Sequence, residues 1–362
     1  MIEAKYIELS CKIEDGIKKG VWKGRLPGIA KLGRELSVDS ATVLKAFRVL
    51  ANKGLLTIQG TRGTYITPHS KRPQHKVIGC IGLKPDNVIY SAEFEEMEKE
   101  AAKRGYNIVG LAHGRQLFAH GTDILLKFPF DGYIFMYSSL TAEIAAFLQG
   151  NGINFVSCNK PVSVENVNCV DFAAEKTFEK AMKYFVGLGH RRIAYFDFYN
   201  PNYPTYNYRE RILNTYKKVM AEARLPFDES LFVMREVEYE AIHEKQFQKN
   251  YGRDCVKSLK NNRPTAVLTH LGMGYGVLEE MNNNNLKVPD DMSIMVYNSR
   301  FYNDDDDFFT TLYLDYKKKS LHAVNLLLDL VNDPWEGAKI ELLESKIIVK
   351  KSTAQIKTPE KK

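Results

Sequence analysis

At 362 residues the chain is long for one compact domain and ample for two or three. Hydrophobic residues make up 44% and charged residues 26%, the balance of an ordinary soluble globular protein. The net charge of +7 is unevenly placed: residues 1–75 hold 14 Lys and Arg against 6 Asp and Glu, and the remainder holds 37 against 38. A small basic module beside a large neutral one is the footprint of a nucleic-acid-binding head. The first residues carry no basic segment leading into an apolar one, and no apolar run approaches the roughly 20 residues that span a bilayer. A cytoplasmic location is therefore expected. Cys11, Cys80, Cys158, Cys169 and Cys255 are odd in number and form no CxxC pair, which points to reduced thiols rather than disulfides or a zinc site.

The first predicted helix covers residues 5–19, with Tyr6, Leu9, Ile13 and Ile17 recurring at spacings of three and four. Gly20 and Gly24 follow it, and Pro27 opens a second helix over 28–36. Asp39 and Ser40 are both competent N-caps for a third helix over 41–52, whose Val43, Ala46, Phe47 and Leu50 make one apolar face. Two short runs, 55–58 and 64–67, flank the glycine-containing turn 59–63 and predict a hairpin. Helix, helix, helix, hairpin is a winged helix-turn-helix.

The stretch Arg25-Leu-Pro-Gly, Leu32-Gly-Arg-Glu-Leu-Ser-Val, Ala41-Thr-Val-Leu-Lys-Ala-Phe and Gln59-Gly-Thr-Arg-Gly-Thr-Tyr-Ile resembles the DNA-binding domain of the GntR family over about residues 4–67. The resemblance implies that the third helix enters the major groove and the wing approaches the minor groove. Ser40, Thr42, Lys45 and Arg48 would then face bases and phosphates, with Gly60, Arg62, Gly63 and Thr64 at the wing. Ile29 stands where the family usually has an acid, Ser40 where it has Arg, and Asp39 where it has Ser. These departures bear on operator sequence and affinity. They do not bear on the fold.

Residues 68–76 are polar, basic and punctuated by two prolines, an interdomain linker between a head at 1–67 and a larger domain at 77–356. There the pattern becomes strands near 77–83, 107–111, 131–136, 154–158, 192–196, 266–269 and 293–297. Helices near 93–104, 142–151, 174–188, 212–223 and 275–282 alternate with them. Such alternation predicts doubly wound parallel sheets, and about 280 residues suffice for two lobes with a cleft between them. The stretch between Leu111 and Phe130 is short for a full flanking helix.

Phe130-Asp-Gly-Tyr-Ile, Gly187-Leu-Gly-His-Arg-Arg-Ile-Ala, Val288-Pro-Asp-Asp-Met-Ser-Ile and Thr310-Thr-Leu resemble the LacI/GalR-type effector domain, similar to periplasmic binding proteins. A GntR-type head on such a domain resembles bacterial arabinose repressors in architecture. The resemblance implies a homodimer on double-stranded operator DNA, controlled by a small-molecule effector, most simply a carbohydrate. It places Asn159, His270, Asn298 and either Arg209 or Arg211 at the effector, with Tyr90, Phe94, Tyr203, Tyr206 and Phe301 as candidate ring-covering aromatics. Asn at 159 and 298 and Leu271 replace usual Asp positions, so a carboxylate-poor cleft for a neutral or mildly acidic ligand is expected. The acidic run 303–307 reads as a solvated loop.

Catalytic signatures are missing. The eight histidines form no HExxH, no GxSxG or phosphate loop is present, and Gly272-Met-Gly-Tyr-Gly lacks the lysine a phosphate loop needs. No enzyme, cofactor or metal is expected. Asp39 and Ser40 leave one alternative open, a cytosolic small-molecule-binding module with a degenerate head. An architectural DNA binder without a ligand is another, left open by Leu271 and Asn298.

Overall fold

The computed structural model describes residues 5–18, 21–22, 24–52, 54–67, 75–83, 88–112, 117–118, 121–136, 139–159, 164–199, 208–237, 244–259, 262–297, 307–333 and 337–356. Of the expected features, most of the linker, Tyr203, Tyr206, Asn298, Phe301 and most of the acidic run lie outside the described residues.

The head is built from α1 (Lys5–Lys18), α2 (Ile29–Glu35), α3 (Ser40–Asn52) and the antiparallel strands β1 (Leu56–Ile58) and β2 (Thr64–Ile66). Leu9, Ile13, Leu32, Val43, Ala46, Phe47 and Leu50 close a single core, the apolar stripes of the helices turned inward. A third chain segment joins the hairpin: Leu26 N donates to Thr64 O and Ile66 N to Gly24 O, both at 2.9 Å. The wing turn itself is a 3-10 turn, Gly60–Arg62, with positive φ at Gly60 and Gly63.

Two six-stranded sheets follow. Lobe 1 has the order β13-β7-β6-β5-β3-β4, from β3 (Val77–Leu83), β4 (Asn107–Ala112), β5 (Gly132–Phe135), β6 (Asn154–Ser157), β7 (Asn168–Phe172) and β13 (Ile340–Leu343). Lobe 2 has the order β14-β12-β11-β10-β8-β9, from β8 (Ile193–Tyr199), β9 (Phe232–Glu236), β10 (Ala266–His270), β11 (Ser293–Tyr297), β12 (Thr310–Tyr313) and β14 (Lys346–Ile348). Every pairing within them is parallel except β12 with β14. The near-continuous apolar runs of β5 and β8 reflect sheets covered by helices on both faces.

Helices α4 (Val88–Ala102) and α5 (Ala142–Gly150) flank lobe 1; α6 (Ala174–Gly187), α7 (Tyr208–Glu222), α8 (Lys245–Ser258) and α9 (Leu271–Asn283) flank lobe 2. The long α10 (Tyr316–Asn332) follows β12 of lobe 2 yet packs on α4, β5, β6 and β7 of lobe 1. The chain thus crosses between lobes three times: after β7, after β12 and between β13 and β14. Between β4 and β5 the described residues hold one 3-10 turn, Thr122–Leu126, in place of a full helix.

Glycine decides how closely α8 and α9 cross. A Cβ on Gly252 would overlap the Met273 carbonyl, and one on Gly276 the Lys249 carbonyl. The glycine-rich run at 272–276 is therefore a helix-crossing device. Four cysteines are buried and Cys11, on α1, is exposed.

His190 ties lobe 2 to the last described segment. Its ring nitrogens lie 3.1 Å from Thr265 Oγ1, from Ser293 Oγ and from the Ala354 carbonyl. Burial lowers its pKa from the ordinary histidine value. A lowered folded pKa means the unfolded chain binds the proton first, so stability is full above the unfolded value near 6.5 and falls as pH drops through it. Thermal melts of the full chain from pH 7.5 to 5 should show this decline, and His190→Gln should flatten it. Gly276→Ala should lower the urea midpoint by the equivalent of about 1–3 kcal/mol, because the helices must move apart.

Candidate functional site

Two regions collect the expected functional residues. In the head, α3 begins at Ser40, and Asp39 caps it: Oδ1 accepts from Thr42 N at 2.8 Å and Oδ2 from Thr42 Oγ1 at 2.7 Å. These bonds hold the Asp39 carboxyl below its usual range. They also engage the Thr42 hydroxyl in the cap. Ser40, Lys45 and Arg48 are exposed on α3, with Lys45 Nζ 6.0 Å from the Tyr6 ring centroid. Gly60 and Arg62 are exposed at the wing, and Gly63 is half-buried. Thr64 requires a correction. It is buried, with its carbonyl committed to Leu26, so its side chain is packed into the head rather than offered to DNA.

Arg25 is the head residue that motif reading left off the DNA surface. It is exposed, forms a β-bridge with Tyr65 and lies 5.7 Å from that ring's centroid. A Cβ on Gly63 would clash with its guanidinium, so glycine at 63 makes room for it. Its cation therefore sits against Gly63 and Tyr65 of the wing.

The second region lies where the carboxyl ends of both sheets face the crossovers, the usual ligand position in open parallel sheets. On the lobe 2 side, Asp197 of β8 is buried and accepts from Phe198 N at 2.8 Å, from His270 Nε2 at 2.9 Å and from the Tyr195 hydroxyl. His270, at the end of β10, stacks on Phe198 with centroids 4.8 Å apart and meets Tyr297 at 4.1 Å. Tyr208 Oη lies 3.4 Å from Tyr195 Oη. Burial, reinforced by the Asp197 charge, pushes the phenols of Tyr195, Tyr208 and Tyr297 well up, so they remain protonated donors.

Lobe 1 contributes Asn159 just past β6, and Lys319 of α10, which is 2% exposed. Lys319 Nζ donates to the Cys158 carbonyl at 2.6 Å and Asn159 Oδ1 at 3.1 Å, and stands 4.0 Å from Asp171 Oδ1. Phe172 and Tyr316 present ring faces to it at 5.1 and 5.7 Å. Behind it Ser320 Oγ donates to the buried carboxylate of Glu93.

The two candidate arginines separate. Arg211 bonds Glu175 at 2.5 Å, which raises its pKa further, and it senses Asp171 and Tyr208. It belongs to the junction of the lobes. Arg209 instead lies over the Phe232 ring at 5.8 Å, toward the β9 edge. Phe94 packs against the lobe 1 core, a correction to its reading as a ring-covering aromatic. Tyr90 falls on α4. Besides the Asn and Leu at the expected Asp positions, Asp171, Glu175 and Asp197 stand here, each beside a cation or hydrogen-bond donors.

Asp197 and Lys319 were the principal omissions, and both left a trace in the sequence. Asp197 interrupts the apolar run Ile193-Ala-Tyr-Phe-Asp-Phe-Tyr, and Lys319 stands on the stripe shared by Tyr316, Ala323 and Leu327. A polar group inside an apolar pattern marks a buried partner or a site. Among the described residues, no group of three His, Cys, Asp or Glu side chains is arranged to hold a metal ion. The junction gathers fixed donors, acceptors and ring faces from both lobes.

Residues 182–353 match the family described as periplasmic binding protein-like domain. The HTH-type transcriptional repressor PurR of Vibrio parahaemolyticus serotype O3:K6 is 23% identical over 288 residues, covering 78% of this chain and 82% of its own. PurR of Pasteurella multocida is 22% identical over 349 residues, 90% of this chain and 97% of its own. Among solved structures, the transcriptional regulator CelR in complex with cellobiose superposes with a TM-score of 0.63 at 16% identity, covering 90% of this chain and 100% of that one. A LacI family regulator from Enterococcus faecium with bound ribose gives 0.60 at 18% identity, with coverages of 78% and 100%. The class follows: a two-lobed, periplasmic-binding-protein-like α/β domain behind an N-terminal module of three helices and a hairpin.

The matched structures whose family is named are LacI-type, cover 77–78% of this chain, and do not show the GntR resemblance of the head. What the head retains from the expectation is its order of three helices and a hairpin.

Removing the Asp197 carboxylate would leave Tyr195, His270 and the Phe198 amide without their acceptor. Asp197→Ala is expected to lose about 3 kcal/mol in urea unfolding, whereas the partly exposed Asp171→Ala should lose less than about 1 kcal/mol.

Proposed function

We propose that this protein is a DNA-binding transcription regulator, a repressor in the first instance, whose operator affinity responds to a small hydroxylated molecule held between the two lobes. The observation that carries the reading is the combination of a separately cored head that, with the linker, holds the chain's whole excess of positive charge, and a two-lobed domain whose polar residues gather at the crossovers. Repressors named PurR are similar along most of the chain, and related folds have been seen with cellobiose and ribose. A carbohydrate-like effector fits a junction whose charges are paired, Asp171 with Lys319, Glu175 with Arg211 and Asp197 with His270, beside the neutral amide of Asn159.

In this reading residues 1–67 bind DNA, 68–76 link, and 77–356 sense and dimerise in the cytoplasm. Ser40, Lys45 and Arg48 of α3 and Arg25, Gly60, Arg62 and Gly63 of the wing form the DNA surface. Arg211 rather than Arg209 reaches the effector, alongside Asn159 and His270. Asp39 no longer argues for a degenerate head, because its carboxylate is committed to capping α3. Ligand that favours the closed lobes changes the disposition of two heads and so the population able to hold both half-sites.

Fluorescence anisotropy with duplexes enriched from a random library, repeated over a salt series, tests the proposal. Saturable binding should weaken with a log–log slope of about −0.9 per phosphate neutralised. Arg25→Ala and Arg62→Ala should each reduce that slope by about one. Absence of binding at low salt would refute the regulator reading.

A further inference from the structure

At the opposite end of lobe 1 from the cleft, the chain leaving the linker is gripped by one side chain. Asp131, immediately before β5, receives two consecutive backbone amides: His75 N on Oδ1 at 2.9 Å and Lys76 N on Oδ2 at 2.8 Å. Lys76 has φ of +58°, a left-handed conformation that costs a non-glycine residue about 1 kcal/mol or more and needs an external hold. Two further contacts supply it. Lys76 Nζ lies 4.3 Å over the Tyr106 ring and donates to Tyr106 Oη at 3.1 Å, and Tyr106, 2% exposed, donates onward to Asn332 Oδ1 at 3.3 Å.

Asn332 is the last residue of α10. The same helix carries Tyr316 and Lys319 at the cleft, about 25 Å away at 1.5 Å per residue. Arg104 braces its last turns through Asp329 at 2.7 Å. Cleft, helix and linker exit are therefore parts of one rigid block.

We infer that Asp131 is a positioning residue for DNA recognition: it fixes the direction in which the linker leaves lobe 1, so that movement of the lobe is passed to the head instead of being absorbed by slack. This rests on the regulator reading above. Without the Asp131 grip, His75 becomes free chain while Lys76 keeps its carbonyl on Asn107 N at 2.8 Å, adding up to about 3.5 Å of reach per protomer at 3.3–3.6 Å per residue, or about 7 Å across a dimer. That equals about two base-pair steps of 3.4 Å. In a dimer on two half-sites, the cost falls on spacing discrimination, while the contacts of each head with its own half-site are unchanged.

The test uses the full chain and duplexes enriched by it from a random library. Dissociation constants are compared for the enriched operator, for versions with the centre changed by one and two base pairs, and for a single half-site. Wild type is expected to disfavour the two-base-pair variants by about tenfold or more. D131A should bind all spacings within about twofold while keeping its half-site affinity, and amide exchange at residues 75 and 76 should lose protection. D131N retains an acceptor oxygen and should restore most of the discrimination. Retained spacing preference in D131A, or equal loss on the single half-site, would overturn the inference and leave the regulator reading standing. A wild type indifferent to spacing would do the same. No enriched sequence at all would remove both.

Discussion

Parallel pairing is the constraint from which the rest of the larger domain follows. Strands that run the same way cannot be joined by tight turns, so each must be followed by a covering element before the next begins. That rule puts helices on both faces of each sheet and gathers all the carboxyl ends on one side. In both lobes that side meets the three crossovers, so residues far apart in sequence, such as Asn159, Asp171, Arg211, His270 and Lys319, arrive at one junction. Neither lobe needs a dedicated loop to build the site. Strand direction does most of it.

Charges enter this apolar setting only in company. Asp197 has three donors, Lys319 has a carbonyl, an amide oxygen and two ring faces, and Glu93 has Ser320. Isolated burial of any of them would cost several kcal/mol, and partnering offsets that penalty without contributing much net stability. What such networks give is direction: each side chain has one orientation that satisfies its neighbours.

Much of this was legible in the residues. Periodicity at three and four placed the head's helices within a few residues, and apolar runs marked β3, β5, β6, β8, β10 and β11. The runs that escaped notice were those with weak alternation or early polar residues, such as β7, β9, β12, β13, β14, α8 and α10. Site residues were harder because motif matching looks for expected letters at expected places. It named His270 and Asn159 as effector contacts and passed over Asp197, whose meaning depends on His270 arriving from β10 to meet it. Arg25 was hidden for a similar reason, since only the strand-like pairing with Tyr65 brings it to the wing.

The distribution of sulfur has a practical side. Cys80, Cys158, Cys169 and Cys255 are sealed inside the two lobes, and burial pushes the Cys255 thiol up to about 12, far from the reactive thiolate range. Cys11 alone among the five is exposed, and it lies on α1 of the head. The native chain therefore carries one exposed address for a maleimide dye, on the small module. Rotational freedom of the head can be watched through that label without altering a single codon.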